Sequence, residues 1–224
     1  MERTATWVRP ADTGTEWSHR RRIAAAAALV AAGVLQLVED VVEPAYDDPA
    51  ARFAAMARDS TPFEVSKAFG IAALPFLLVT ALVLLGLARR NAPRLGWTAG
   101  TMTFCGFVGL SVLQGVELVE IVALKGGLGV AEVQKIDDAV TGSVGAIPVV
   151  VLFLSAPLGL LLLAVALWRA GTAPRGALLL VVVMVLADFG LFGVLPFPVH
   201  IIWLAALSWI AWSLLARPQP PQYG

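Results

Sequence analysis

Apolar residues occur in six long runs, and short segments between them hold most of the polar residues. We place the runs near residues 23–43, 66–88, 96–124, 143–168, 176–196 and 198–216. A helix needs roughly 20 apolar residues to cross a bilayer. None of the runs shows the alternation of a membrane β-barrel strand. The pattern therefore predicts an all-α polytopic membrane protein, with six transmembrane helices in a bundle over residues 23–216.

The composition agrees with this prediction. Hydrophobic residues make up 58% of the 224 residues, charged residues only 14%, and the mean hydropathy is +0.81. Soluble domains carry about 25% charged residues. The zero formal net charge argues against a nucleic-acid partner, which needs a basic surface. A single cysteine, Cys105, allows no intramolecular disulfide.

The first apolar run has an alternative interpretation. The stretch "HRRRIAAAAALVAAGVL" resembles a secretory signal because a basic start precedes an alanine-rich core. The run continues past a usual signal core, however, and five further runs follow it. We therefore expect it to stay in the protein as the first membrane helix.

Basic residues predict the orientation in the membrane. With residues 1–22 in the cytoplasm, 11 of the 16 Lys and Arg residues fall on the cytoplasmic side, as the positive-inside rule requires. Trp97, Trp168 and Trp212 fall at the same interface. We expect both termini, including the tail 217–224, in the cytoplasm, and membrane lipid as a partner.

Acidic residues follow the opposite trend, since 13 of the 16 lie in the helices or the outer connections. In the first outer connection, Asp48 and the proline after it match a helix cap and first turn. The second outer connection predicts a short helix between Val130 and Val140. The Asp-Asp pairs at 47–48 and 137–138 make no metal site by themselves, because adjacent helical residues point about 100° apart. We expect no metal and no cofactor.

Two short sequences repeat along the chain. "VLQLVED" at 34–40 resembles "VLQGVEL" at 112–118, and an "APR" turn occurs at 92–94 and again at 173–175. The spacings of 78 and 81 residues are similar. This pattern indicates three serial two-helix hairpins, although apolar sequences also resemble one another by chance.

Polar residues inside the apolar runs are the candidates for function. Gln36, Glu39, Asp40 and Glu43 share one face of the first helix, because they are spaced at i, i+3, i+4 and i+7. Asp188 is the deepest carboxylate, and Lys67 and His200 begin helices on the outer side. We select as candidates for ligand binding or proton relay Asp188, Glu117, Glu39, Gln36, Gln114, Lys67, Glu120 and His200.

Structural roles are open for most of these residues. The glutamines can join helices by hydrogen bonds of about 0.6 kcal/mol each. The glutamates can reach the headgroup layer at helix ends, and His200 can be interfacial. Asp188 has no such exit, so it must be protonated, hydrogen-bonded or paired with a cation. If Asp188 is paired, we expect Lys67 to be the cation; the sequence leaves open whether it is paired or protonated.

The even helices end in "LARRNAPR" and "LWRAGTAPRG", and with the six runs these turns resemble a bacterial multi-pass family known only as a domain of unknown function. That resemblance covers roughly residues 20–197 and implies a six-helix inner-membrane protein without a known activity. A fainter resemblance is to small membrane-embedded terpene cyclases. Their intramembrane acids would correspond to Glu39 or Glu117 and to Asp188, but the helix count is one short.

Three functions remain open at this point. The first is binding or transport of a small or lipid-soluble molecule in an acid-lined cavity open to the outer side. The second is a membrane enzyme with an intramembrane carboxylic acid as general acid. The third is a structural or accessory subunit whose polar residues only hold helices together. The sequence carries no nucleophile or metal motif that favours the enzyme.

Overall fold

The computed structural model describes residues 17–44, 46, 48–188 and 197–216. The regular elements in these ranges are all helices. They are α1 (His19–Val42), α2 (Pro49–Arg58), α3 (Thr61–Ala88), α4 (Pro93–Lys125), α5 (Val130–Thr141), α6 (Ala146–Ala170), α7 (Arg175–Asp188) and α8 (His200–Leu215). The all-α prediction is confirmed for the described residues, and so are the two short helices in the connections.

Local sequence explains several helix ends. The Asp48 carboxylate accepts a hydrogen bond of 2.7 Å from the backbone N–H of Ala51, so the predicted cap of α2 is confirmed. At the end of α6, Gly171 adopts the left-handed conformation with φ 64°, where a side chain would be strained. The helix that contains the predicted run 66–88 begins five residues before that run, since α3 starts at Thr61.

Among the described residues, α1, α3, α4 and α6 are long and apolar enough to cross a membrane. The apolar α8 has 16 residues, and α7 has 14 up to Asp188. The rest of the fifth predicted run lies outside the described residues, as do the predicted terminal segments 1–16 and 217–224. The chain thus has the character of a multi-pass membrane protein, and the six-span count stays a prediction.

The six longer helices form a ring. Going round it, α1 packs against α3, α3 against α4, α4 against α6, α6 against α7, α7 against α8, and α8 against α1. The members of each predicted hairpin are therefore neighbours. Because successive helices run in opposite directions, α1, α4 and α7 finish where α3, α6 and α8 begin.

The ring has two chemically different ends. We call the first the acidic end, where α1 finishes and α8 begins, as the contact between Asp40 and His200 shows. We call the other the arginine end. There the Arg22 guanidinium donates to the backbone oxygens of Leu214 and Leu215 at 2.7 and 3.2 Å, satisfying carbonyls that the end of α8 leaves open.

Aromatic residues surround the arginine end. Trp97, Trp168 and Trp212 are 52%, 42% and 71% exposed. The Arg89 guanidinium lies 5.8 Å from the Trp97 ring, and the Arg175 guanidinium lies 5.1 Å from the Trp168 ring. This exposed belt of amphipathic rings is typical of a membrane–water interface.

The core fills the half of the ring nearer the arginine end. Leu84 of α3, Leu163 of α6 and Ile210 of α8 belong to one buried cluster and are at most 1% exposed. A cavity lies in the other half of the ring, toward the acidic end.

The short helices cover part of the acidic end. Phe53 and Met56 of α2 are 2% and 1% exposed, and they pack with Phe63, Ile121 and Val133 from α3, α4 and α5. The apolar side of α2 therefore faces the protein.

Candidate functional site

Glu39 is the centre of a polar cluster at the acidic end. Its carboxylate accepts hydrogen bonds from Gln36 at 3.3 Å and from Gln114 at 2.6 Å, and it lies 3.4 Å from the Lys67 ammonium. Gln36 comes from the same helix, Gln114 from α4 and Lys67 from α3. One buried carboxylate therefore joins three helices of the ring.

Lys67 balances more than one carboxylate. Its ammonium lies 2.9 Å from Glu43 and 2.8 Å from Glu117, in addition to Glu39. The Lys67 side chain is only 5% exposed, so these pairs lie in a low-dielectric setting. The predicted partnership with Asp188 is wrong. The glutamates reach Lys67 from α1 and α4, the two helices that flank its position in α3, whereas α7 lies across the ring.

Arg52 extends the network to α2. Its guanidinium lies 3.1 Å from Glu117 and 3.2 Å from Glu120. The Glu117 contact has the distance of an ion pair but not hydrogen-bond geometry, because the same nitrogen has no hydrogen-bond partner among the described residues. Glu117 and Glu120 lie on one face of α4, and this spacing was the signal for a cation opposite them. Because α2 carries two arginines, the sequence did not show that Arg52 supplies it.

Tyr46 lies beside this network, in the connection between α1 and α2. Its hydroxyl donates a hydrogen bond of 3.4 Å to Glu43, and the Arg52 guanidinium lies 5.9 Å from its ring. Burial, and next the charge of Glu43, raises the pKa of the Tyr46 hydroxyl above its ordinary value.

A second polar group joins α1 to α8. The His200 ring nitrogen Nδ1 lies 3.1 Å from the Asp40 carboxylate, and the His200 backbone N–H donates to the same oxygen at 3.4 Å. Asp188, at the last described residue of α7, is exposed and has no ion-pair partner within the described residues. Among the described residues, His200 therefore pairs with Asp40, and Asp188 has no cation beside it.

A cavity of about 240 Å³ lies between these groups and the apolar core. Its polar walls are Gln36, Glu39, Asp40, Glu43, Gln114, Asp188 and His200. Its apolar walls are Phe107, Leu110, Phe153, Ala156, Pro157, Leu160, Met184, Val185 and Trp203. Five helices of the ring contribute, namely α1, α4, α6, α7 and α8. A concave, mostly apolar space with a few convergent polar groups is typical of a small-molecule site.

Two residues that line the cavity, Gln114 and Trp203, each have a buried polar atom without a hydrogen-bond partner among the described residues. Gln114 must direct its amide NH₂ to the Glu39 carboxylate, since a carboxylate only accepts. Its carbonyl oxygen is then an acceptor, and it has no partner in the described part of the chain although Gln114 is 5% exposed. The indole N–H of Trp203, 1% exposed, also has none. Buried polar atoms without partners are uncommon and call for a cause.

The selected residues thus fall into two groups. Gln36, Glu39, Gln114, Asp188 and His200 line the cavity. Lys67, Glu117 and Glu120 form the adjoining ion-pair network instead. The sequence did not select Arg52 or Trp203. It noted Asp40 and Glu43 on the right helix face without selecting them, and the periodicity of α1 was the signal that could have done so.

In the described ranges, no three His, Cys, Asp or Glu side chains converge in a metal-binding arrangement. A scan against protein-family models, a search of curated proteins and a search of solved structures each found no match to this chain. The resemblance drawn from the turn sequences therefore remains a prediction, and function has to be argued from the cavity.

Proposed function

We propose that this chain is a six-span protein of a bacterial inner membrane that binds a small molecule in the cavity at its acidic end. The observation that carries this proposal is the cavity itself, with apolar walls on one side and convergent polar side chains on the other. We place the arginine end in the cytoplasm, because membrane proteins concentrate Arg and Lys there. The cavity then faces the outer side.

Binding has more support than passage across the membrane. Transport would need a second opening toward the arginine end, and the buried cluster around Leu84, Leu163 and Ile210 fills that half of the ring. A structural role alone explains the Glu39 and Lys67 contacts, but it gives no reason for a cavity beside them. A variant that fills the cavity distinguishes a binding role from a purely structural role.

The experiment uses phenylpropanol, a neutral molecule with one ring and a short chain. We expect it to raise the melting temperature of the purified protein in detergent, because a ligand of the folded state stabilises by mass action. Leu160→Trp should abolish the shift, since Leu160 lines the cavity and is 5% exposed. The control is Leu158→Trp in the same helix, whose side chain is 54% exposed and away from the cavity.

A second blocking variant protects the test against misfolding. Val185→Phe reduces the volume of the cavity from the α7 side, whereas Leu160→Trp reduces it from the α6 side. Both blocking variants must elute as a single species before they are compared. Equal stabilisation of the wild type and of both blocked proteins would reject this cavity as the binding site.

A further inference from the structure

We infer that the cavity takes an organic amine, that is, a molecule with an ammonium group on a small apolar body. This inference rests on the proposed function and specifies its ligand. Three features support it independently: the polarity of the wall, the balance of charges around it, and its size.

The first feature is that the polar wall consists mainly of acceptors. Asp40, Glu43 and Asp188 contribute carboxylates. Gln114 also lines the cavity, and its carbonyl oxygen has no hydrogen-bond partner in the described part of the chain. An ammonium group offers three donors and no acceptor, so it matches this wall. A carboxylate or phosphate would instead place further acceptors and negative charge against it.

The second feature is an excess of acids over bases. Lys67 and Arg52 together face four glutamates, namely Glu39, Glu43, Glu117 and Glu120. On the other side of the cavity, one histidine faces two aspartates, and its ring lies against Asp40. This leaves Asp188 as the carboxylate without a described cation, and its exposure leaves it free to meet one.

The third feature decides between an organic cation and a bare ion. An engineered cavity of about 150 Å³ holds one benzene molecule, so a volume of about 240 Å³ suits about ten non-hydrogen atoms. Phe107, Phe153 and Trp203 supply aromatic walls that suit an apolar body and also attract a cation. Within the described ranges, no cluster of His, Cys, Asp or Glu has the arrangement that a metal ion needs.

The geometry assigns Asp188 as the counterion of the ammonium group. Asp40 is already held by His200, and Glu39 and Glu43 by Lys67. Asp188 lines the same cavity as Asp40 and His200 and has no ion-pair partner among the described residues. The ligand's apolar body would then extend toward Phe107 and Leu160, where the cavity meets the core.

The test compares three probes of similar shape that differ in one group: phenylpropylamine, phenylpropanol and phenylpropionate. Dissociation constants are measured by titration calorimetry on the purified wild-type protein in detergent at neutral pH. We expect the amine to bind at least about tenfold more tightly than the alcohol, because a charge-assisted hydrogen bond contributes about 1.4 kcal/mol more than a neutral one. Phenylpropionate should bind more weakly than the alcohol.

Asp188→Asn should remove the preference for the amine and leave the affinity for the alcohol within about threefold of wild type. A purely structural role of Asp188 would instead change all affinities together. The control is Asp138→Asn, which removes the same charge from an exposed position on α5 that does not line the cavity. This control should keep the full preference.

The outcomes separate the inference from the proposed function. Equal binding of amine and alcohol by the wild type, or tighter binding of phenylpropionate, overturns the amine assignment and leaves the small-molecule site in place. A preference that survives in Asp188→Asn overturns the role of Asp188. Binding of none of the three probes overturns both the amine assignment and the proposed function.

Discussion

Gln114 donates a hydrogen bond of 2.6 Å to Glu39, although 75 residues separate them along the chain. They come from the two segments that resemble each other in sequence, at 112–118 and 34–40. Lys67 strengthens the connection, because its ammonium lies between Glu39 and Glu117, the glutamates of the same two segments. The two similar segments therefore meet in one polar cluster.

The first prediction concerns Lys67. Lys67→Met leaves Glu39, Glu43 and Glu117 without their shared cation, and breaking a buried ion pair costs about 3–5 kcal/mol of unfolding free energy. Chemical unfolding in detergent measures the loss. Lys125→Met is the matched control, since Lys125 is 55% exposed in its pair with Glu64 and exposed ion pairs contribute little to stability. Equal losses in the two variants would contradict the assignment of Lys67 as the central cation.

The second prediction concerns Gly70 of α3. A Cβ added at this position would overlap the Glu39 carboxylate. Gly70→Ala should therefore displace Glu39 from Lys67 and Gln114 and cost about 1–3 kcal/mol of unfolding free energy, as overpacking does. Thermal or chemical unfolding measures the effect.

Gly115→Ala is the control for Gly70. No atom lies within 4 Å of a Cβ added at Gly115, so this change should be neutral or stabilise the helix by up to about 1 kcal/mol. Gly70→Ala should also become harmless when Glu39 is replaced by Ala, because the overlapping group is gone. A full loss in that double variant would show that the effect has another cause.

The third prediction concerns alkaline pH. The folded protein raises the pKa of Tyr46 above the value of about 10 for free tyrosine. This contribution to stability is complete below pH of about 10 and disappears as the pH rises through the folded pKa. Stability above pH of about 10 should therefore fall more in the wild type than in Tyr46→Phe.

Absorbance titration of phenolate checks the same effect directly. The chain has two tyrosines, Tyr46 and Tyr223, so Tyr46→Phe leaves a single titrating phenol. The component lost in this variant should titrate above the range of free tyrosine. A midpoint at or below about 10 would refute the raised pKa of Tyr46.

The fourth prediction concerns orientation in the membrane. In a Cys105→Ala background, single cysteines replace Ser143, between α5 and α6, and Arg90, between α3 and α4; both positions are exposed. A membrane-impermeant maleimide applied to intact cells should label Ser143→Cys, and Arg90→Cys only after permeabilisation. The reverse pattern would place the acidic end in the cytoplasm.

Sequence reasoning predicted the helices well, because apolar runs and caps are local features. The pattern at Gln36, Glu39, Asp40 and Glu43 also predicted one polar face, and all four residues line the cavity. Periodicity within a helix fixes which residues share a face, and this information survives without knowledge of the neighbouring helices.

The side-chain contacts between different helices could not be predicted from the sequence, because they depend on the order of the helices round the ring. Lys67 was considered for Asp188 because few basic residues lie inside or at the outer mouth of the bundle, whereas α1 and α4 present their glutamates to it. Arg52 was not selected, because the burial of α2 against α4 and α5 is a tertiary effect. Depth along a helix can be counted, but the neighbour at that depth cannot.

The close contact of α4 with α6 has a consequence for how this sequence can diverge. A Cβ added at Gly106, Gly109 or Gly159 would run into backbone atoms of the facing helix, and backbone cannot move aside as a side chain can. Selection should therefore hold these three glycines fixed while Gly115 drifts freely. A related protein could bind another ligand after replacement of the residues that line the cavity, yet it should retain the three glycines of the α4–α6 contact. In a comprehensive library of single substitutions, these three positions should be among those that tolerate substitution least.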